Sequence, residues 1–536
     1  MSAWPYITGL LLGFSYPPIG IYAFAWLALV PMLVRWYSAP SYAMFFREAY
    51  AAFLLSFVVP GYWLVFHDTV AVSGLAMVSI LLAPTIPAAV VTLSIRMARD
   101  LGKLLGFCFL VLSWLAVEQL LVYGPIGLPW FQLAHTQADA YHFNQFADVF
   151  GASGISVWIW LVNGAAATAL LASTSERWVK AIRAAGVTVA LCLVVGAYSY
   201  GVWRVPQLLT TSSTLRVGLV QPALPSYAWA GTSGLDRLQR LVNLSEELRE
   251  PGTTALTQAS AIRESQILVW PEGSLPDQRA PEWDGLYAQL EDWTSRHATP
   301  LLTGAVVPST GESGSDASVA VLFSPSGGVT RIDPVHAPAV SRTVNRAYIG
   351  SWSENLYAAL NNGRRSAAHL TPPFALADGV VGSLIGFESL YPSRARGLTQ
   401  QGSQALFSLS NHGAWSNSIG PAQHLALTRL RAIENRRAIL VAAADGPSAL
   451  IYPDGMIVQT TARHQEAAVR YDVPMRTDHT FYMKRGDILA GAAIPLSILM
   501  VLGWLAYTFL PWRPPPPMVT PRMRARMRHP VKSTPR

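Results

Sequence analysis

Three short strings in this chain carry side chains suited to acid–base or acyl chemistry. Trp270-Pro271-Glu272-Gly273-Ser274 places a carboxylate at the end of an apolar run, just before a Gly-Ser turn. A glutamate buried there is a candidate general base, because loss of water raises a carboxyl pKa toward neutrality. The same placement also suits a carboxylate that only fixes a loop through hydrogen bonds. Leu384-Ile385-Gly386-Phe387-Glu388 ends a second apolar run, and Glu388 is open to the same two readings. His412 and His424 mark the third region, but no further ligands follow at a recognisable spacing, so structural roles are expected for both and no metal or other cofactor is implied. Ser383, Ser389 and Ser410 bring hydroxyls near Gly386, although strand alternation turns positions 383 and 389 away from the face that 386 presents.

What this region lacks narrows its chemistry further. From Val205 to Met483 there is no cysteine and no lysine: Cys108 and Cys192 lie in apolar runs upstream, and the lysines are Lys103, Lys180, Lys484 and Lys532. A thiol nucleophile or a lysine ammonium drawn from this stretch is therefore excluded.

These strings sit in a chain built for a membrane. Among 536 residues 51% are hydrophobic, only 13% are charged, and 18 are Trp, with the apolar residues clustered in long runs. Apolar stretches suggest eight spans, near 4–15, 20–34, 49–66, 70–95, 104–123, 149–172, 179–202 and 488–510. The first two share a run broken at Pro17-Pro18 and are also readable as one bent element. A signal peptide is the rival for that start, but it has no basic leader and no polar segment follows.

Basic residues resist translocation, so their loops set the orientation. Arg35 and Arg47, then Arg96, Arg99 and Lys103, then Arg177, Lys180 and Arg183 occupy every second loop; the others hold His67, Asp68, His135, His142 and Asp148. The basic loops and the Arg-rich 512–536 tail are then cytoplasmic, which turns the region between the seventh and last spans outward, into the periplasm of a Gram-negative cell. The net charge of +8 owes much to that tail, so it reads as membrane-side retention and not as a nucleic-acid surface. The organisation expected is a seven-span bundle over 1–205, a folded region over 212–478, a last span at 486–511 and the basic tail. Transport is poorly supported, because the spans carry few ionisable residues; Glu118 is the exception.

The 212–478 region alternates short β-branched runs with amphipathic ones. Strands are expected near 215–221, 266–270, 300–305, 319–324, 380–386, 405–409, 438–443 and 448–452, and helices near 235–249, 283–297 and 421–436. That is too many strands for one parallel sheet, so two facing sheets with helices outside them are predicted. Trp229, Trp283, Trp293, Trp352 and Trp415 are divided between core and lipid-interface roles.

Several of these strings, in order along nearly the whole chain, resemble the apolipoprotein N-acyltransferases, membrane enzymes with a carbon–nitrogen hydrolase (nitrilase-superfamily) domain. Phe14 to Pro18 resembles the family's opening, and Glu118 with Gly127-Leu128-Pro129-Trp130 its membrane-side motif. Trp270 to Ser274 resembles the strand that ends in the catalytic glutamate. Asn411 to Trp415, Ser418 to Pro421, Gln423-His424 and Arg431 to Arg437 resemble its most extended signature. The resemblance implies a membrane bundle plus an αββα sandwich, with phospholipid as acyl donor and a lipoprotein amine as acceptor. It also implies Glu272 as base and a lipid site lined by Trp229, Phe387 and Trp415. It further implies a cysteine where this chain has Gly386, a tyrosine at Phe387, a lysine at Asp333 and a glutamate at Ser341. An acyl-enzyme route needs a nucleophile and a cation or amide donor for the oxyanion, and glycine supplies no nucleophile. The expectation is thus a catalytically impaired relative that binds lipid or lipoprotein, or works in an envelope or conjugal-transfer assembly. The alternative is an acyltransferase with a non-cysteine mechanism. If no cation from His336, Arg342 or Arg346 intervenes, Glu272, Asp333 and Glu388 should repel one another and raise their pKa values.

Overall fold

The structure, a computed structural model, describes residues 3–39, 41–67, 70–123, 129–171, 177–208, 213–223, 232–248, 265–276, 283–308, 316–332, 372–415 and 417–509. Six helices among them are long and apolar enough to cross a membrane: Tyr42–Val65, Val72–Leu101, Lys103–Tyr123, Ala147–Leu171, Lys180–Leu208 and Ile488–Phe509. They coincide with the last six of the eight expected spans. The first two do not reach that length. Helix α1 (Trp4–Ser15) has 12 residues, about 18 Å of rise against a hydrocarbon core of about 30 Å. After a turn at Tyr16-Pro17-Pro18, the chain continues in two short helices, α2 (Ala25–Ala28) and α3 (Val30–Ser38).

The bundle continues with α4 (Tyr42–Gly61), α5 (Val70–Leu82), α6 (Thr85–Leu101), α7 (Lys103–Tyr123), α8 (Ala147–Leu171) and α9 (Arg177–Arg204). The expected single span at 70–95 is in fact α5 and α6, parted by a turn at Ala83-Pro84. Between α7 and α8 the chain folds back in short 3₁₀ turns at Pro129–Phe131 and Leu133–Gln137. Glu118 explains how that segment is held: its carboxylate accepts hydrogen bonds from Trp114 Nε1 at 2.9 Å, Leu133 N at 2.7 Å and Ser156 Oγ at 2.9 Å. A buried carboxylate with three donors is a structural clamp.

Residues 213–475 form two six-stranded sheets. The first runs β12-β1-β2-β3-β4-β5 and the second β11-β10-β9-β8-β7-β6. The strands are β1 (Ser213–Gln221), β2 (Ile267–Val269), β3 (Leu301–Pro308), β4 (Asp316–Phe323), β5 (Val329–Ile332), β6 (Phe374–Leu376), β7 (Gly379–Ile385), β8 (Ala405–Ser410), β9 (Ala438–Ala443), β10 (Ala449–Ile451), β11 (Ile457–Thr460) and β12 (Ala467–Met475). Each sheet has a parallel centre, β1-β2-β3 and β7-β8-β9, flanked by antiparallel strands. Alternate residues of both sheets meet in one core that includes Val217, Leu219, Val269, Phe407, Leu440 and Tyr471. The opposite faces carry helices: α10 (Gly234–Glu247) and α11 (Trp283–His297) over the first sheet, α12 (Pro392–Gln400) and α13 (Gly420–Asn435) over the second. Trp283 and Trp293 belong to this packing, 7% and 5% exposed, and so are core residues. The short α14 (Phe481–Arg485) then leads into α15 (Ile488–Phe509), back in the bundle.

Sandwich and bundle interlock through the end of α13. Arg431 pairs with Glu434 at 2.8 Å, and Glu434 accepts from Ala152 N at 3.0 Å, next to a break in α8 at Gly151 (φ 66°). Arg436 takes a left-handed backbone (φ 49°) that turns its guanidinium into the bundle, where it meets Asp148 at 2.9 Å and Gln145 Oε1 at 2.7 Å. The string from Arg431 to Arg437 is therefore a docking element.

Candidate active site

Both sheets deliver residues to one place at the ends of their parallel strands, the usual location for sites in such sheets. Glu272 follows β2 in a turn completed by Gly273 (φ 72°). That turn lies directly on β3, and a Cβ at Gly304 would fall 2.5 Å from Glu272 Cα, so only glycine permits the approach. The Glu272 carboxylate accepts a hydrogen bond from Asn411 N, just past β8, at 3.0 Å. Its side chain keeps a partly exposed edge but is enclosed by protein on most sides. Burial pushes its pKa up to about 7, against the pull of hydrogen bonds from Ser318 and Asn411, with a smaller upward push from the Glu388 charge.

Gly386 faces it. The residue follows β7 immediately and has φ +56°, where an L side chain is strained. A Cβ built there lies 3.3 Å from Glu272 Oε2 and 3.4 Å from Oε1. Any side chain at 386 would thus begin against the carboxylate, which is how a nucleophile and its base are arranged. At this position the chain offers only hydrogen.

Glu388 is differently engaged. Its carboxylate accepts from Ile385 N at 3.0 Å and pairs with Arg394 at 3.2 Å, both side chains fully buried. It closes the 3₁₀ turn Gly386–Leu390, and its charge is matched by Arg394. Mutual carboxylate repulsion is accordingly a small part of the Glu272 shift, and burial is the main cause. Asp333 and Trp229 lie outside the described residues, as do His336, Ser341, Arg342, Arg346 and Trp352.

Phe387 points to the bundle and sits among rings: Trp130 at 5.1 Å, His424 at 5.4 Å, and His412 and Trp415 each at 5.7 Å. Trp415 also meets Trp63 and His67 across the junction, at 5.6 and 4.5 Å. The two histidines are 4.6 Å apart, and His424 Nε2 shares a 2.7 Å hydrogen bond with Ser389 Oγ. Burial lowers the His412 pKa to about 4 and takes His424 well below its ordinary value, so both are neutral. No group of three metal-ligating side chains occurs among the described residues. Five buried nitrogens in this ring cluster have no hydrogen-bond partner: Nε1 of Trp130 and Trp415, both nitrogens of His412, and Nδ1 of His424. The two tryptophan nitrogens can only donate, and neutral His412 adds one further donor. Sequence reasoning missed Trp63, His67, Ser318 and Gly304, since their roles depend on contacts distant in the chain.

A helical membrane bundle joined to a carbon–nitrogen hydrolase sandwich, with a glutamate at the strand ends, defines the class of protein. Residues 8–165 match the family described as apolipoprotein N-acyltransferase N-terminal domain, and residues 216–477 match carbon-nitrogen hydrolase. The apolipoprotein N-acyltransferase of Chlorobaculum tepidum is 26% identical over 93% of this chain and 95% of its own. The protein of that name from Geobacter metallireducens is 28% identical over 91% and 92%, and that from Gloeobacter violaceus 25% identical over 93% and 92%. The chain belongs to the apolipoprotein N-acyltransferase family of the nitrilase superfamily.

Proposed function

We propose that this membrane protein retains the family's binding architecture without its acyl-transfer chemistry, and acts by holding a phospholipid or lipoprotein, alone or in an envelope or conjugal-transfer assembly. The observation that carries this reading is Gly386, whose missing side chain would begin 3.3 Å from Glu272. The base is present and shifted toward neutral pH, but nothing at 386 has a proton for it to take. The unpartnered nitrogens around Phe387 support retained binding, because buried donors call for acceptor oxygens and a lipid ester or phosphate provides them. Phe387 and Trp415, with Trp229, are assigned to that ligand, and Asp333 is assigned to the position of the family's lysine. The arrangement of basic loops supports an inner-membrane protein with the 212–478 sandwich in the periplasm.

Incubation with phospholipid followed by intact-mass measurement tests the reading. An unmodified chain is expected from the wild type. The Gly386→Cys, Asp333→Lys double variant should gain the mass of one acyl group if the site has kept its substrate shape. Acylation of the wild-type chain that Glu272→Gln abolishes would establish the alternative, a transferase with a different nucleophile.

A further inference from the structure

A separate groove opens in the bundle, away from the Phe387 ring cluster. Between α8, α9 and the start of α15 lies an open groove of about 450 Å³, lined by Phe146, Phe150, Trp158, Cys192, Gly196 and Tyr200 among others. It shares no residue with the Phe387 ring cluster. The α9 wall follows one helical stripe, Cys192, Gly196 and Tyr200, at four-residue spacing, and the next position on that stripe is Arg204. From Cys192 to Arg204 the helix rises about 18 Å, close to half of a hydrocarbon core of about 30 Å, so the groove has the depth of one leaflet. Most of the α9 surface beside it is exposed and apolar, including Leu191, Val195 and Val202, and Trp203 and Tyr198 stand at its outer end as interface anchors.

The outer end is basic. Arg204 donates from Nε to Asp148 at 2.8 Å and from Nη1 to Gln207 at 3.0 Å, leaving Nη2 without a partner among the described residues. Arg436 binds the same Asp148, while Arg437 and Arg476 share Asp478, and Arg476 reaches Leu208 O at 3.1 Å. Four guanidiniums thus share two carboxylates at this end; Arg436 and Arg437 are buried, and Arg204 and Arg476 keep exposed edges toward a lipid headgroup. An apolar slot one leaflet deep that ends in excess positive charge matches one acyl chain with a phosphate above it.

We propose that this groove holds a phospholipid as a resident ligand, with one acyl chain along the Cys192–Tyr200 stripe and its phosphate at Arg204. The inference is independent of whether the Gly386 site is active. Gly196 provides the test, because it lines the slot and a Cβ there meets nothing within 4 Å, so Gly196→Phe has room to enter it. The full chain in detergent is mixed with equal amounts of dioleoyl phosphatidylglycerol and dioleoylglycerol and weighed by native mass spectrometry. One bound phosphatidylglycerol is expected, favoured at least tenfold over the neutral lipid, and it should be lost in Gly196→Phe at unchanged Tm. In a Cys108→Ser background, the phospholipid should also slow N-ethylmaleimide reaction at Cys192 several-fold. Equal retention of the two lipids, or retention by Gly196→Phe, overturns the proposal. Loss of Cys192 protection in Phe387→Ala also overturns it, because the protecting lipid would then belong to the other site.

Discussion

Replacing Glu272 by glutamine should stabilise this protein at pH 8 and do so far less at pH 5. The carboxyl is raised from an ordinary 4.5 to about 7 in the fold. Between those values the folded state binds a proton that the unfolded chain has released, so the group's contribution to stability is full below pH 4.5 and is lost as pH rises through 7. The full loss corresponds to about 3 kcal/mol. Glu272 keeps a partly exposed edge and some water, which brings the expected penalty down to about 1–2 kcal/mol. Glutamine preserves the acceptor for Asn411 N and removes the charge, so its gain at pH 8 should equal that penalty. For a region of this size it should appear as a rise in Tm of about 2–8 °C. Thermal unfolding of both proteins at pH 5 and pH 8 in one detergent is the assay, and the titrations of His412 and His424 cancel in the difference. A Tm at pH 8 that is unchanged or lower in Glu272→Gln would refute the reasoning, since the carboxylate would then have a stabilising cation.

Gly386→Ala should cost about 1–2 kcal/mol because of its φ of +56°, and a gain in Tm would show that the turn relaxes freely. Arg436→Met leaves buried Asp148 with Arg204 and the Tyr200 hydroxyl as partners, and the loss of about 3 kcal/mol expected should be accompanied by faster proteolysis at the junction of sandwich and bundle. Glu118→Ala leaves the buried donors of Trp114 and Leu133 unpaired, about 2–5 kcal/mol in unfolding measurements; little effect would show that water replaces the carboxylate.

Local pattern made much of this architecture legible. Apolar length located all six long helices, and the run Ala438 to Ala443 was readable as a buried strand because every residue in it is apolar. Strand β12 was not, because Arg470, Asp472 and Pro474 interrupt its pattern; it is an outer strand, paired only with β1, where such residues are tolerated. Helix α12 was missed for a related reason: its buried Arg394 reads as a surface residue until Glu388 is placed beside it. In the site, the absence of thiol and lysine was plain from composition, and the pairing of Glu272 with Gly386 was implied only by the family resemblance. The aromatic cluster was beyond reach, since Trp63 and Trp415 meet across more than 350 residues of sequence.

The Arg436–Asp148 contact also orders events during synthesis. Asp148 enters the bilayer with α8, and its first cation, Arg204, is made 56 residues later. The second arrives 288 residues on, after most of the sandwich strands exist. Until then Asp148 holds one of its two cations, so this junction is completed only when the sandwich has folded against the bundle.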